Sequence, residues 1–117
     1  MNLQRGTTSL EVTIANGTAV SGAFEMSNHA GGLVLMPGAW TAASIGFQVS
    51  DSPGGTFYPL YDSGGSLVQI EGPAVDSAYA IPAEVFGAAW VKLWSQDGSA
   101  GEENQTADRS VGVVLKS

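Results

Sequence analysis

The chain has 117 residues, eleven acidic side chains against four basic ones for a net charge of −7, and no cysteine. That length fits one domain, and the lack of cysteine excludes disulfides and thiolate metal centres. The only basic residues are Arg5, Lys92, Arg109 and Lys116, so nucleic acid is excluded as a direct partner and an anionic membrane surface is disfavoured: both need a cationic stripe.

Hydrophobic residues make up 44% of the chain, enough for a real core. A domain of this size still buries only roughly 65% of its unfolded surface, so association with a partner is an expected further source of stability. No apolar run approaches the ~20 residues of a membrane span, and residues 1–6 have no apolar signal core. The chain is therefore expected to be made in a cytosol and kept there or built into something larger. The sequons at Asn16 and Asn104 are accordingly read as chance matches.

Residues 1–9 are polar and carry no strand pattern, which predicts an N-terminal arm lying across a neighbouring subunit. The remaining residues, 10–117, read as a single domain of short β segments punctuated by Gly, Pro, Asn, Asp and Ser. Leu10, Val12 and Ile14 alternate on one face of the first segment. Asn16 and Gly17 then predict a hairpin-type turn into a second strand over 20–26, with Val20, Gly22, Phe24 and Met26 on one face. Leu33, Val34, Leu35 and Met36 form a continuous apolar run, predicting a central strand buried on both sides. Residues 40–44 read as a connector with room for one helical turn.

Ile45, Phe47 and Val49 alternate inward in the next strand. A turn follows at 51–55, where Pro53 fixes φ and the glycines admit positive φ. Residues 57–61, interrupted by Pro59, suit an edge strand. Further strands are expected over 67–70 and 77–81, then a helical turn with Pro82 at its start and Gly87 past its end. Trp90, Lys92 and Trp94 share one face of the clearest strand, and Val91 and Leu93 share the other. A polar loop over 96–108 leads to a last strand with Val111, Val113 and Leu115 on one side. About nine short strands at this spacing predict an all-β fold, an antiparallel β-sandwich or jelly roll.

Little in the chain points to catalysis, and the reading is that it is not an enzyme. The single histidine, His29, sits between Asn28 and Gly31 in a flexible-looking loop, with no nucleophile elbow elsewhere. Glu102 and Glu103 are adjacent in a polar loop, with nothing to hold them across a cleft as a glycosidase pair must be held. Asp51, Asp62 and Asp97 each begin a Gly-containing turn. Such residues bond their own backbone, and no EF-hand ligand series accompanies them. Phosphate-cradling glycine motifs are absent. No cofactor or metal is expected.

The aromatic residues carry more information. Trp90 and Trp94 cannot join the same core as Val91 and Leu93, since alternate side chains point to opposite faces. The tryptophan face is left for a subunit contact, a sugar-stacking platform, or a second packed layer.

Residues 36–50 contain Met36, Pro37, Trp40, Thr41, Ala43, Ile45 and Phe47. A Ser50, Asp51, Gly54, Gly55 turn follows, then Phe57, Leu60, Tyr61 and Asp62. This run resembles a group of small tailed-bacteriophage virion proteins with the pattern Met-Pro-x-x-Trp-Thr-x-Ala-x-Ile-x-Phe, a Ser-x-Asp-Gly-Gly-type turn, then an aromatic and Leu-Tyr-Asp. Residues 89–93 and 107–111 fit as well, so the resemblance spans about 10–116. Ser52 and Pro53 replace Asp-Gly in the turn. The resemblance implies a β-sandwich structural protein of the virion, foremost a decoration or cement protein. Such a protein binds the major capsid protein on the outside of the phage head as a homotrimer, after assembly in the bacterial cytoplasm. A head–tail connector or tail component, or a carbohydrate-binding module, is the alternative. The residues expected at partner contacts are Leu3, Arg5, Trp40, Tyr58, Tyr61, Trp90, Lys92 and Trp94.

Overall fold

Alternation of apolar and polar side chains requires each strand to bury one side, and the chain meets this with two facing antiparallel sheets. The computed structural model describes residues 6–117; Leu3, Arg5 and most of the expected arm lie outside them. The strands are β1 (Thr7–Ile14), β2 (Phe24–Glu25), β3 (Gly31–Leu35), β4 (Ser44–Ser50), β5 (Tyr58–Pro59), β6 (Gln69–Ile70), β7 (Ala78–Ala80), β8 (Trp90–Gln96) and β9 (Arg109–Lys116). One sheet has the order β1-β9-β3-β7; the other runs β2-β8-β4-β5, with β6 also on β4.

These orders follow from one long hairpin rolled on itself. First pairs with last: β1 with β9, β2 with β8, β3 with β7. At the tip, β4 meets β5 along Gln48 and Val49, and β6 along Ile45 and Gly46. Rolling adds the β3–β9 and β4–β8 ladders. With β5 and β6 counted as one interrupted strand, this is jelly-roll connectivity, which resolves the choice between a plain sandwich and a jelly roll.

The core lies between the sheets. Ile45, Phe47, Val91 and Leu93 face Val34, Val111, Val113 and Leu115, all fully buried. Trp40, Leu10, Val49, Leu60, Tyr79 and Phe86 pack around them. A 3-10 turn spans Ala83–Gly87 and buries Val85; it lies one residue later than expected, with Pro82 just before it and Gly87 as its last residue. A buried polar knot ties the long loop to the sandwich. Gln105 donates to Thr41 O (3.1 Å) and Ser95 Oγ (2.9 Å), and its Oε1 accepts from the Thr41 N–H (2.8 Å) and Arg109 Nε (3.2 Å).

Several expectations change. Asn16 and Gly17 do form a turn, with Thr18 N–H donating to Ala15 O (3.0 Å) and Gly17 at φ 78°. It does not close a hairpin, because the next segment joins the opposite sheet. Residues 20–25 run along β8 but are regular only at β2. Val20 faces Trp94 and Phe24 faces Val91, so one extra residue is bulged out, and Val20 ends on the opposite face from Phe24. Ser21 Oγ accepts the Leu93 N–H (2.9 Å) within the bulge. Residues 40–43 contain no helical turn; the Trp40 indole N–H bonds Ala43 O (3.1 Å) instead. Strand β1 starts at Thr7, inside the stretch read as arm. β3 is central in its sheet but buried on one side only: Val34 and Met36 are covered, while Leu33 and Leu35 are 41% and 40% exposed.

That asymmetry is measurable. Phe47→Ala should cost about 3–5 kcal/mol, as expected for a fully buried aromatic. Leu35→Ala should stay within about 1 kcal/mol. Urea melts of the two variants check this, and comparable losses would contradict the assigned facing of β3.

Candidate interaction surface

Among the described residues, each sheet has an outer face with no layer packed on it, and the two faces are treated differently. On the β8–β4 face, Trp94 lies beside Gly46, Lys92 beside Gln48, and Trp90 beside Ser50. Gly46 leaves the seat for the indole: a Cβ there would stand 2.8 Å from Trp94 Cε3. Trp94 is consequently only 4% exposed. Lys92 Nζ sits 4.4 Å from the centre of the Phe57 ring, a cation–π contact. Gln96 Nε2 donates to Gln69 Oε1 (2.5 Å), and the Gln96 Oε1 accepts from the Gly98 N–H (2.6 Å). The side chains of this face therefore cover one another.

Of the expected contact residues, Trp94 is thus buried, and Trp40, Trp90 and Lys92 are partly buried. Tyr58 and Tyr61 remain exposed at 64% and 47%. Leu3 and Arg5 are outside the described residues. The tryptophans are not brought together as an open platform.

The outer face of the other sheet is left uncovered by the described residues. Two cross-strand rows run over it. Ala80, Leu33, Val114 and Ser9 form one; Ala78, Leu35, Gly112 and Glu11 form the next. Leu35 leans over Gly112, where a Cβ would lie 3.1 Å from its own Cβ. The result is an apolar strip with charge only at its margins, Glu11 and Lys116. The sequence run through Leu33 and Leu35 gave no sign of this, because apolar residues on both faces of a strand read as double burial.

A second feature lies near the hairpin tip. A groove of about 640 Å³ is lined by Val49, Ser50, Asp51, Thr56, Tyr58 and residues 87–89. Apolar side chains, hydroxyls, a carboxylate and one exposed ring are brought together there.

Two of the three turn aspartates serve their own loops; at the 51–55 turn Ser50 Oγ, not Asp51, accepts the Ser52 N–H (3.3 Å). Asp62 Oδ1 accepts from the Gly64 and Ser66 N–H groups (2.9 Å each), and Asp97 Oδ1 from those of Ser99 (2.8 Å) and Gly101 (3.1 Å). His29 follows Asn28, at φ 69°, in a turn where its own N–H donates to Met26 O (3.1 Å). Among the described residues, no three His, Asp or Glu side chains stand close enough together to hold a metal ion.

The fold and this face define an antiparallel jelly roll that presents an uncovered sheet. No protein-family model and no curated protein sequence matches the chain. Among solved structures, the SPBc2 prophage-derived protein YomS has a similar fold. It shares 16% sequence identity at a TM-score of 0.65, and the match covers 100% of this chain and 98% of that one.

The Ser99 and Gly101 N–H groups hold the Asp97 carboxyl below its ordinary value of 3.8. A depressed carboxyl stabilises its loop above that ordinary value, and the contribution fades as pH falls through the lowered one. The Ser99 and Gly101 amide resonances should therefore titrate with a midpoint below 3.8, and Asp97→Asn should abolish the titration. A midpoint at or above 3.8 would contradict the assignment.

Proposed function

We propose that the protein is a structural component of a phage particle, namely a decoration subunit bound to the major capsid protein on the outside of the head. The observation that carries this reading is the uncovered strip of Leu33, Leu35 and Val114 on the outer face of the β9–β3 sheet. Uncovered apolar area rimmed by polar residues marks a protein contact, and such a strip needs only a complementary protein surface. Three further facts support the reading. YomS, with the similar fold, is prophage-derived. Jelly rolls recur in viral capsids. The run from Met36 to Asp62 resembles small virion proteins. Binding in this account joins shell subunits across their boundaries, stabilises the head, and takes place in the bacterial cytoplasm during assembly.

Leu33→Asp combined with Leu35→Asp should leave the isolated protein folded, because both side chains are exposed, and should abolish its incorporation into heads. Electron microscopy of particles grown with each form reads both copy number and position. Many copies spread over the shell support the decoration role. A small symmetric ring on the tail axis would replace it with the connector or tail reading. Full incorporation of the double variant would remove the strip from the interface.

A second reading, carbohydrate binding, is favoured by the groove at the hairpin tip alone. Exposed Tyr58 would stack on a sugar ring, and Asp51 would accept its hydroxyls. A glycan array with no bound sugar eliminates it.

A further inference from the structure

A sheet edge is an open row of N–H and C=O groups, and proteins blunt such edges by keeping them short, by placing lysine or proline in them, or by bulging them. Among the described residues, three ends of the two sheets are blunted in this way. β7 has three residues; β2 has two; β5 has two, one of them Pro59. β1 is different. It is eight residues long, Thr7–Ile14, and holds unbroken register with β9 from Thr7 opposite Lys116 to Ile14 opposite Arg109. It contains no proline, no lysine and no bulge, and it forms the end of its sheet. Thr7, Thr8, Ser9, Glu11 and Thr13 are all exposed, and Leu10, which faces the core side, is only half-covered.

We propose that β1 pairs antiparallel with β1 of a second copy, joining two four-stranded sheets into one. The occupant follows from the strand's own chemistry. Core-facing residues of β1 are Leu10, Val12 and Ile14, and outward-facing ones are Ser9, Glu11 and Thr13. A two-fold pairing must match like faces. Two registers do so over nearly the whole strand. One sets Glu11 against Glu11 of the other copy, a like-charge pair that destabilises a ladder. The other sets Leu10 against Leu10 and Ser9 against Glu11, opposes no like charges, and covers the half-exposed leucine of both copies. The second register is therefore the one formed. Within β1 each copy of this acidic chain brings a single charge, Glu11, so the strand itself carries little of the net charge of −7. The pairing replaces the homotrimer that the resemblance to virion proteins implies, and it stands independently of capsid binding, since it concerns only the isolated chain.

The test is sedimentation equilibrium of the full-length protein and two variants. The natural chain should form a concentration-dependent species of twice the 12.0 kDa chain mass. Ser9→Glu places two like-charge pairs across the junction and should raise the dissociation constant about tenfold; Ser9→Lys places two opposite-charge pairs there and should lower it about tenfold. Ser9 is exposed, so the circular dichroism of both variants should match the natural chain. A monomer at every concentration, a trimer, or a shift of both variants in the same direction would overturn the proposal. Failure of this test leaves the capsid-binding strip untouched, and loss of capsid binding leaves the dimer untouched.

Discussion

Two sheets cover only the sides they turn to each other, because successive residues of a strand point to opposite faces. Everything distinctive about this protein follows from how it handles the two sides left over. The β8–β4 face covers itself: an indole lies on Gly46, an ammonium sits over Phe57, and a glutamine pair closes the end near Gly98. The β9–β3 face does not. Its leucines, Leu33 and Leu35, are flanked on the neighbouring strands by the small residues Ala78, Ala80 and Gly112, too short to shield them. Burying an exposed leucine contributes about 1–2 kcal/mol at the usual value per unit of apolar area, so a partner surface that covers both gains an appreciable share of its binding energy from this strip alone.

The rolled hairpin decides where these features sit. Pairing the first strand with the last puts β1 at the end of one sheet, beside β9, and sets the bare strip across β9, β3 and β7 of that same sheet. The hairpin tip falls at the other sheet, where the chain between β4 and β5 lines the groove beside Tyr58. Strip and groove therefore occupy different sheets. A subunit held on a shell by the strip would still present its tip, so the capsid and carbohydrate readings use separate parts of the molecule.

Much of this architecture is legible in the residue order. The alternations around Val12, Phe47, Leu93 and Val113 each mark a strand and its buried side, and Asp62 and Asp97 make the self-bonded turns their positions suggest. The failures have physical causes. Leu33 and Leu35 look doubly buried because local pattern carries no information about whether a second layer exists. Trp94 looks available because its cover, the missing side chain of Gly46, belongs to a strand 48 residues earlier. Asn16 and Gly17 turn the chain as expected, but whether the next segment joins the same sheet depends on the whole roll. The bulge before Phe24 moves Val20 to the other face, and Gly22, inside that strand pattern, is its one local sign. Connectivity and the covering of outer faces are long-range properties, and the candidate surface is made of both.

The strip around Leu35 is open in the described protein, and the proposed role requires it to be closed in the particle. Because the chain has no cysteine, a single introduced thiol reports on it without background. The thiol of Leu35→Cys should react rapidly with a water-soluble reagent in the isolated protein and be protected in assembled particles. That of Val113→Cys, within the core, should be protected in both. Equal reactivity of Leu35→Cys free and assembled, under conditions where the protein is incorporated, would contradict the account.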